Sequence, residues 1–242
     1  MEDNIKVTGL VLNTKDYKEN DKIAVIFTLE RGKLNAVFKG VKKPKAKMKM
    51  AAQPFCFGEF IFSERGNNYI TTNCTLTESF YDLAYQTERF FCGCVILEVI
   101  DYATIEGQPN EKLFLHSLKA LKELAYDTTN ENMIATKFII DTLALIGYKM
   151  NFTKCSSCRA SVSRPYFSAL RGGLLCPLCK DIDGLPLQLN LINNLKFIDN
   201  SDYERLSTIK IESSASKKLL HFIANVFSEL VGCSLKSLNN IL

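Results

Sequence analysis

The stretch that decides the fold of the first part of the chain is DKIAVIFTLERGKLNAVFKG, residues 21–40. Its two apolar runs, Lys22–Leu29 and Lys33–Gly40, are rich in Val, Ile and Phe, and the turn-forming pair Arg31-Gly32 separates them. Residues 36–40 alternate in the two-residue period of a half-buried strand. The stretch therefore predicts two strands joined by a turn.

Three further segments have the same character: Ile5–Asn13, Phe55–Ser63 and Tyr69–Thr77. Turn residues mark the gaps at Glu19-Asn20-Asp21 and at Arg65-Gly66-Asn67-Asn68. Five short strands without a helical pattern between them predict a small closed barrel. An OB-type barrel fits the number of strands, and an SH3-like barrel fits the spacing nearly as well.

From Glu78 onward the apolar residues recur at helical intervals. The recurring positions are Phe91, Val95, Val99 and Tyr102, then Leu118, Leu121 and Ala125, then Ile139, Leu143 and Ile146, and finally Leu219, Phe222, Ile223, Val226, Phe227 and Leu230. Turn residues interrupt this pattern at 107–110 and at 127–130, where we expect a helix cap, and Gly147 is expected to end the third helix.

The predicted fold class is α+β and multidomain. A five-stranded OB-type barrel occupies residues 1–79, and an α-helical domain follows, with its first part at 80–152 and its C-terminal part at 185–242. A zinc-binding insert with four cysteine ligands, residues 153–184, interrupts the helical domain.

The insert contains two Cys-x-x-Cys pairs separated by seventeen residues. Two residues between cysteines allow one tight turn to aim both sulfur atoms at a single metal ion, and two such turns complete a tetrahedron. The predicted ligands of one structural Zn²⁺ ion are Cys155, Cys158, Cys176 and Cys179. We expect a hairpin between the pairs, with Val162–Phe167 and Gly173–Leu175 as its arms, and we expect nearby cations (Lys154, Arg159 and Lys180) to offset the thiolate charge.

Two other interpretations of the cysteine pairs remain open, a redox dithiol and an iron–sulfur cluster. A redox pair normally lies in a βαβ setting, which the surrounding sequence lacks, and the spacing favours zinc over iron–sulfur. Four protein ligands leave no open coordination position, so the predicted site is structural. The other five cysteines (Cys56, Cys74, Cys92, Cys94 and Cys233) lie in apolar stretches and are expected to be small buried hydrophobic residues.

Positive charge is concentrated near the beginning of the chain. Residues 1–50 carry twelve Lys and Arg against six Asp and Glu, a net +6, whereas the other 192 residues have 18 against 20, a net −2. Between positions 31 and 49 there is no acid, and the predicted nucleic-acid contacts are Arg31, Lys33, Lys39, Lys42, Lys43, Lys45, Lys47 and Lys49. Lysine contacts phosphate without reading sequence, so we expect sequence-tolerant, salt-dependent binding.

Two details of the basic segment are also predicted. The alternation of Lys43, Lys45, Lys47 and Lys49 is expected to place charges along one side of an extended segment. Phe38 is a candidate for stacking on bases, although a role in the core is the simpler expectation.

The sequence carries no Walker-type loop, no G-x-S-x-G and no His clustered with carboxylates, so we expect no enzymatic activity and no small-molecule substrate. No apolar run approaches the roughly 18 residues of a membrane span. Acids at Glu2 and Asp3, where a secretory leader has basic residues, indicate the cytoplasm.

The sequence resembles the RecO family of bacterial recombination mediators. The resemblance is carried by Gly32–Lys43, by Gln53-Pro54-Phe55, and by Tyr166-Phe167-Ser168 with Gly172–Cys176. It implies a protein of the cytoplasm and nucleoid that binds single- and double-stranded DNA, anneals complementary strands, and with RecR loads RecA onto DNA covered by SSB, whose C-terminal tail it binds. The family loop often ends in Lys-Ser, whereas Lys43 is followed here by Pro44.

Two other classes of function remain as alternatives. An RNA-binding or transcription-associated zinc protein would also combine a barrel with a zinc insert. A nuclease is the third possibility, if acidic residues distant in sequence come together in the fold.

Overall fold

The computed structural model describes residues 4–65 and 68–241. Its first five strands form a closed barrel in the order β1-β2-β3-β5-β4. The strands are β1 (Asn4–Tyr17), β2 (Asp21–Thr28), β3 (Gly32–Phe38), β4 (Phe57–Arg65) and β5 (Asn68–Glu78). The predicted turns after β1 and β2 are present, while residues 66 and 67 of the third predicted turn lie outside the described residues.

Pairing between distant strands closes the barrel. β1 pairs antiparallel with both β2 and β4, whereas β3 and β5 pair in parallel through Ala36 with Tyr69 and Val37 with Ile70. Five strands closed in this order form an OB-type barrel, so the predicted fold class is confirmed. The SH3-like alternative does not apply.

The barrel interior is apolar and rich in phenylalanine. Phe38 is fully buried, and its ring meets Phe60 edge-on at 6.2 Å, while Phe60 stacks on Phe62 at 6.1 Å. The expectation that Phe38 belongs to the core is confirmed, and its alternative role in stacking on bases is wrong because no part of the ring is exposed.

A long loop, residues 39–56, joins β3 to β4 and covers one end of the barrel. Its apolar residues Val41, Ala51, Ala52 and Cys56 are buried within the barrel core, with Met48 packed against them. The loop is therefore anchored by apolar side chains on both sides of its lysines.

Three helices follow the barrel: α1 (Thr87–Ala103), α2 (Glu111–Tyr126) and α3 (Glu131–Leu145). The expected cap at 127–130 is Asn130, whose side chain accepts hydrogen bonds from the backbone N–H groups of Asn132 and Met133. Gly147 has φ 99°, a conformation that favours glycine, and it follows the end of α3 as predicted.

After the cysteine insert, the chain forms α4 (Leu189–Asp199), α5 (Tyr203–Ser207) and α6 (Ser213–Val231). Helix α3 is buried around most of its circumference because α4, α5 and α6 all pack against it. The periodicity predicted α6 but not α4, since asparagines at positions 190, 193 and 194 lower its helix propensity. No helix among the described residues is long and apolar enough to cross a membrane.

The chain divides into two compact units. The first comprises the described residues of Met1–Phe90 and Leu97–Leu121, and the second those of Phe91–Ile96 and Lys122–Leu242. The domain boundaries predicted at residues 79, 152 and 184 stay a prediction.

Within the first unit, the start of β3 lies against the loop between α1 and α2. A Cβ atom on Gly32 would lie 2.3 Å from the backbone oxygen of Gln108, so only glycine allows this approach. The N–H of Gly107 donates to the carbonyl of Lys33 at 2.9 Å.

Candidate nucleic-acid interface and metal centre

The lysine-rich loop is folded into successive tight turns. Backbone N–H groups of Lys43, Ala46 and Lys49 each donate to a carbonyl three residues earlier, at 3.1 to 3.4 Å. The expectation of an extended segment is therefore wrong, because these local hydrogen bonds and the buried residues of the loop shorten the chain. The charges lie on a compact surface at the end of the barrel.

Most of the predicted DNA contacts are exposed: Arg31, Lys39, Lys42, Lys43, Lys45, Lys47 and Lys49. Lys33 differs, since its Nζ donates to the carboxylate of Asp101 at 2.8 Å and to the carbonyl oxygen of the same residue. Its charge is neutralised within the protein. DNA contact by each of the eight residues stays a prediction.

Lys42 is exposed but also paired within the protein. Its Nζ lies 2.7 Å from Asp16 Oδ2 on β1, and this hydrogen bond holds the pKa of the Asp16 carboxyl below its usual value. An exposed pair of this kind contributes little to stability. It does connect the basic loop to the end of β1.

The turn between β1 and β2 adds a cation that lies outside the basic run at 31–49. Lys18 lines a cleft of about 510 Å³ together with Lys39 and Lys43. Lys18 is separated from the run at 31–49 by acids at Glu19, Asp21 and Glu30, so its place beside the loop was not visible from spacing. The only sequence signal was the excess of positive charge over residues 1–50.

The four cysteines of the insert come together as predicted. Their Sγ atoms all lie within 4.8 Å of one another, and Cys158 Sγ is 3.7 Å from Cys176 Sγ. A tetrahedral Zn²⁺ ion with bonds of about 2.3 Å requires sulfur atoms roughly 3.8 Å apart, whereas a disulfide requires about 2.05 Å. The cluster therefore fits a metal ion and contains no disulfide.

Local backbone geometry positions the sulfur atoms. In the first turn the N–H of Arg159 donates to the carbonyl of Cys155, and in the second the N–H of Lys180 donates to that of Cys176, both at 3.0 Å. The N–H of Cys176 also points at Cys155 Sγ, 3.5 Å away. A hydrogen bond from a backbone N–H to sulfur favours the thiolate form, which is the form that binds metal.

The thiols do not titrate alike. Burial raises the pKa of Cys155, but backbone N–H groups of Cys158, Cys176 and Ser157 outweigh burial and bring that pKa to about 6, below the ordinary 9.0. Hydrogen bonds with the side chains of Cys158 and Cys176 raise the pKa of Cys179 to about 12. Without a bound cation, repulsion between neighbouring thiolates keeps some of the thiols protonated. A bound metal ion would supply the positive charge that lets those thiols ionise as well.

The hairpin between the cysteine pairs is shorter on one side than predicted. Its strands are β6 (Tyr166–Ser168) and β7 (Gly173–Leu175), and β8 (Leu185–Pro186) extends the sheet along β6. The predicted arm at 173–175 is confirmed, whereas the other is confirmed only at Tyr166 and Phe167. Pro165 precedes β6.

Of the three cations expected near the sulfur atoms, Lys180 has a defined partner, with its Nζ 4.8 Å from the centre of the Tyr166 ring.

Among the remaining cysteines, Cys56 and Cys92 are buried as expected, and burial raises the pKa of Cys56 to about 11. Cys74, Cys94 and Cys233 are only half-buried.

Among the glycines of the insert, Gly173 is the one at which the packing leaves no room for a side chain. Its φ is +132°, and a Cβ atom there would lie 2.3 Å from the carbonyl oxygen of Asn151. That oxygen accepts a hydrogen bond from the N–H of Leu174 at 3.0 Å. We expect Gly173→Ala to lower the free energy of unfolding by roughly 2–3 kcal/mol, from steric conflict and backbone strain together. Urea unfolding measures this change.

Gly172→Ala is the matched control. Gly172 also has a positive φ, +71°, but its Cβ atom would approach only Lys149 O, at 3.9 Å. The expected loss is about 1 kcal/mol, from backbone strain alone. Equal losses in the two variants would show that the approach to Asn151 is unimportant.

Two models of known protein families together match most of the chain. Residues 1–80 match the family model described as Recombination protein O N terminal, and residues 85–239 match the one described as Recombination protein O C terminal. This chain belongs to the RecO family. The N-terminal RecO match covers the barrel, and the C-terminal RecO match covers the helices and the cysteine cluster.

Individual RecO proteins are similar along most of their length. The DNA repair protein RecO of Alkaliphilus metalliredigens is 29% identical over 226 residues, 90% of this chain and 92% of the relative. The one from Thermoanaerobacter sp. is 29% identical over 98% of both chains, and the one from Pelotomaculum thermopropionicum is 31% identical over 85% of this chain and 81% of the relative. The relatives are thus DNA repair proteins, and the RecO resemblance found in the sequence is confirmed.

Proposed function

We propose that this protein is a non-enzymatic recombination mediator that binds single- and double-stranded DNA and anneals complementary strands. With RecR, it would help load RecA onto single-stranded DNA covered by SSB, and it would recognise the C-terminal tail of SSB. The DNA contacts proposed are the eight cations from Arg31 to Lys49, of which Lys33 and Lys42 would have to leave Asp101 and Asp16 to meet phosphate. One structural Zn²⁺ ion would be held by Cys155, Cys158, Cys176 and Cys179. The same proposal places the protein at the bacterial nucleoid.

The observation that carries the DNA proposal is the dense set of exposed lysines on one folded loop. Lys43, Lys45, Lys47 and Lys49 are exposed, while Val41, Ala51 and Ala52 on either side of them are buried in the barrel core. Like charges at this density repel one another, so an anion that neutralises them is favoured. A nucleic-acid backbone supplies negative charge in an extended row, and its binding releases counterions.

Annealing follows from the same electrostatics. Two DNA strands repel each other through their phosphates until cations neutralise part of that charge. A surface that binds backbone without reading bases leaves the base edges available for pairing. No nucleotide hydrolysis is needed, because the duplex itself is the more stable product.

RecR and the SSB tail enter the proposal through membership of the RecO family, and we assign no residues to either contact. Zinc would maintain the insert and contribute no chemistry. Among the described residues, the four cysteines are the one group of His, Cys, Asp and Glu side chains that could hold a metal ion.

The experiment that tests the proposal is annealing of complementary oligonucleotides coated with SSB, in a salt series without nucleotide. We expect annealing that needs no ATP and weakens steeply as salt rises. Binding without annealing would contradict the mediator function. Competition between RNA and single-stranded DNA of the same sequence is the companion measurement, and a strong preference for RNA would favour the alternative of an RNA-binding zinc protein.

A further inference from the structure

The cleft beside the basic loop is held in shape by hydrogen bonds between two turns. The N–H of Gly40 donates to Asp21 Oδ1 at 2.8 Å, and the N–H of Lys42 donates to the carbonyl of Asn20 at 3.1 Å. Gly40 has φ +66° and therefore turns the chain immediately after β3. These bonds join the β1–β2 turn to the start of the loop.

The basic and acidic side chains that line the cleft are not equally free to bind a ligand. Its cations are Lys18, Lys39 and Lys43, and its acids are Glu19 and Asp21. The Asp21 carboxylate is half-buried and already accepts the N–H of Gly40, whereas the three lysines are exposed. The cleft therefore presents more usable positive than negative charge to a ligand.

Tyr17 is the exposed aromatic residue at this end of the barrel. Its exposed fraction is 38%, and the other aromatic side chains described in β1–β5 and the loops between them are buried or half-buried. Tyr17 pairs in register with Asp21 across the β1–β2 hairpin, so both side chains project from the same face of the sheet. Asp21 and Lys18, the cross-strand partner and the next residue of Tyr17, both line the cleft.

Lys18 connects the ring to the cleft. Its backbone is left-handed, with φ 53°, which is uncommon for a residue other than glycine, asparagine or aspartate. Its Nζ lies 5.2 Å from the centre of the Tyr17 ring. An exposed cation over a ring is held weakly, and a nucleic-acid base stacks on an aromatic ring more strongly than such a cation does.

We propose that Tyr17 is a stacking platform for a base of single-stranded DNA, whose adjoining phosphates lie along Lys18, Lys39 and Lys43. This inference rests on the proposed DNA-binding function and assigns that function a site for single strands. As a base takes its place on the ring, the Lys18 ammonium turns toward phosphate. In duplex DNA the bases are already stacked and paired, so Tyr17 contributes to binding of single strands alone.

The first test compares Tyr17→Ala, Tyr17→Phe and the unchanged protein. The ligands are an oligothymidylate of about 16 nucleotides, the upper site size of one OB fold, an abasic oligomer of the same length, and a duplex. Tyr17→Ala is expected to weaken oligothymidylate binding about tenfold, with an unchanged salt slope, because the variant lacks the stacking ring but keeps every lysine that binds phosphate. Tyr17→Phe should bind like the unchanged protein, since it keeps the ring.

Three comparisons make the result specific. Tyr17→Ala should bind the abasic oligomer and the duplex with unchanged affinity, since neither offers an unstacked base. Tyr102→Ala, which removes a tyrosine of similar exposure (44%) on α1, should leave all three affinities unchanged. Lys39→Gln with Lys43→Gln should weaken binding of all three ligands and lower the salt slope.

Photocrosslinking with 5-iodouracil oligonucleotides provides an independent readout, in which the crosslinked peptide is expected to contain Tyr17. Oligothymidylate binding that is the same for Tyr17→Ala and the unchanged protein would overturn the inference while leaving the proposed function intact. An equal loss of affinity for the abasic oligomer would also overturn it. If the unchanged protein bound no DNA, both the inference and the proposed function would fall.

Discussion

Replacing Lys43, Lys45, Lys47 and Lys49 together by Gln is expected to weaken single-stranded DNA binding by several hundred-fold at about 0.1 M salt. Each phosphate that is no longer neutralised should lower the slope of log K against log salt by roughly 0.7, and four such phosphates by about 3. These four lysines are all exposed on the turns of residues 43–49. Lys42 is spared because it binds Asp16.

The physical reason for so large an effect is that the four contributions come from one surface. Counterion release depends on how many phosphates the protein neutralises, and it does not depend on the base sequence. Loss of affinity should therefore be similar for different DNA sequences. The free protein should be as stable as before or more so, because repulsion among the lysines is removed.

Fluorescence anisotropy with a labelled oligonucleotide across a salt series measures both affinity and slope. The matched control replaces four exposed lysines elsewhere, Lys122, Lys196, Lys210 and Lys218, so that net charge changes by the same amount. We expect this control to lose only a small part of the affinity. Equal losses in the two variants would mean that binding follows net charge, and the assignment of the loop would be abandoned.

Removing the metal ion is expected to unfold the insert and to lower the melting temperature by roughly 10 °C or more. At about 2–4 °C per kcal/mol for a chain of this size, that corresponds to several kcal/mol. Phe167 of the insert packs on Phe222, but the core around the sulfur atoms themselves is small. It consists of Leu175 and the cysteines Cys155 and Cys176, with Val162, Tyr166 and Cys179 packed against them. Binding of metal and folding of the insert are therefore coupled.

The measurement combines metal analysis with thermal unfolding of the purified protein and of a variant with all four ligands changed to Ser. We expect one Zn²⁺ per chain and the same lowered melting temperature after chelation and in the variant. A control that changes Cys74, Cys94 and Cys233 to Ser should keep its metal. An unchanged melting temperature in the four-Ser variant would contradict the structural role.

Zinc affinity should also fall as the pH is lowered. Metal binds thiolates, so protons compete with the ion for every ligand. The pKa of about 6 at Cys155 means that this thiolate is protonated as the pH falls through about 6, and the high pKa of Cys179 means that zinc must displace its proton. Competition with a zinc indicator at several pH values checks the sign. Affinity independent of pH would exclude thiolate ligation.

The sequence by itself determined the features that depend on short-range pattern. The two-residue period of the strands, the helical spacing of α1, α2, α3 and α6, and the caps at Asn130 and Gly147 are local, because hydrogen bonds and side-chain directions repeat within a few residues. The four cysteines are a special case. Two local turns each present a pair of sulfur atoms, so the spacing alone predicts that one metal ion could join them.

Tertiary structure decided whatever depends on residues distant in sequence. The parallel pairing of β3 with β5, which distinguishes an OB-type barrel from other small barrels, joins residues about 33 positions apart, Ala36 with Tyr69. Tertiary structure also pairs Lys33 with Asp101 and folds the lysine segment into a compact loop. It places Lys18, the residue after Tyr17, beside that loop. A run of charge predicts that an anion binds, but only the folded chain, which brings Asp101 to Lys33 and Asp16 to Lys42, determines which cations remain free to meet that anion.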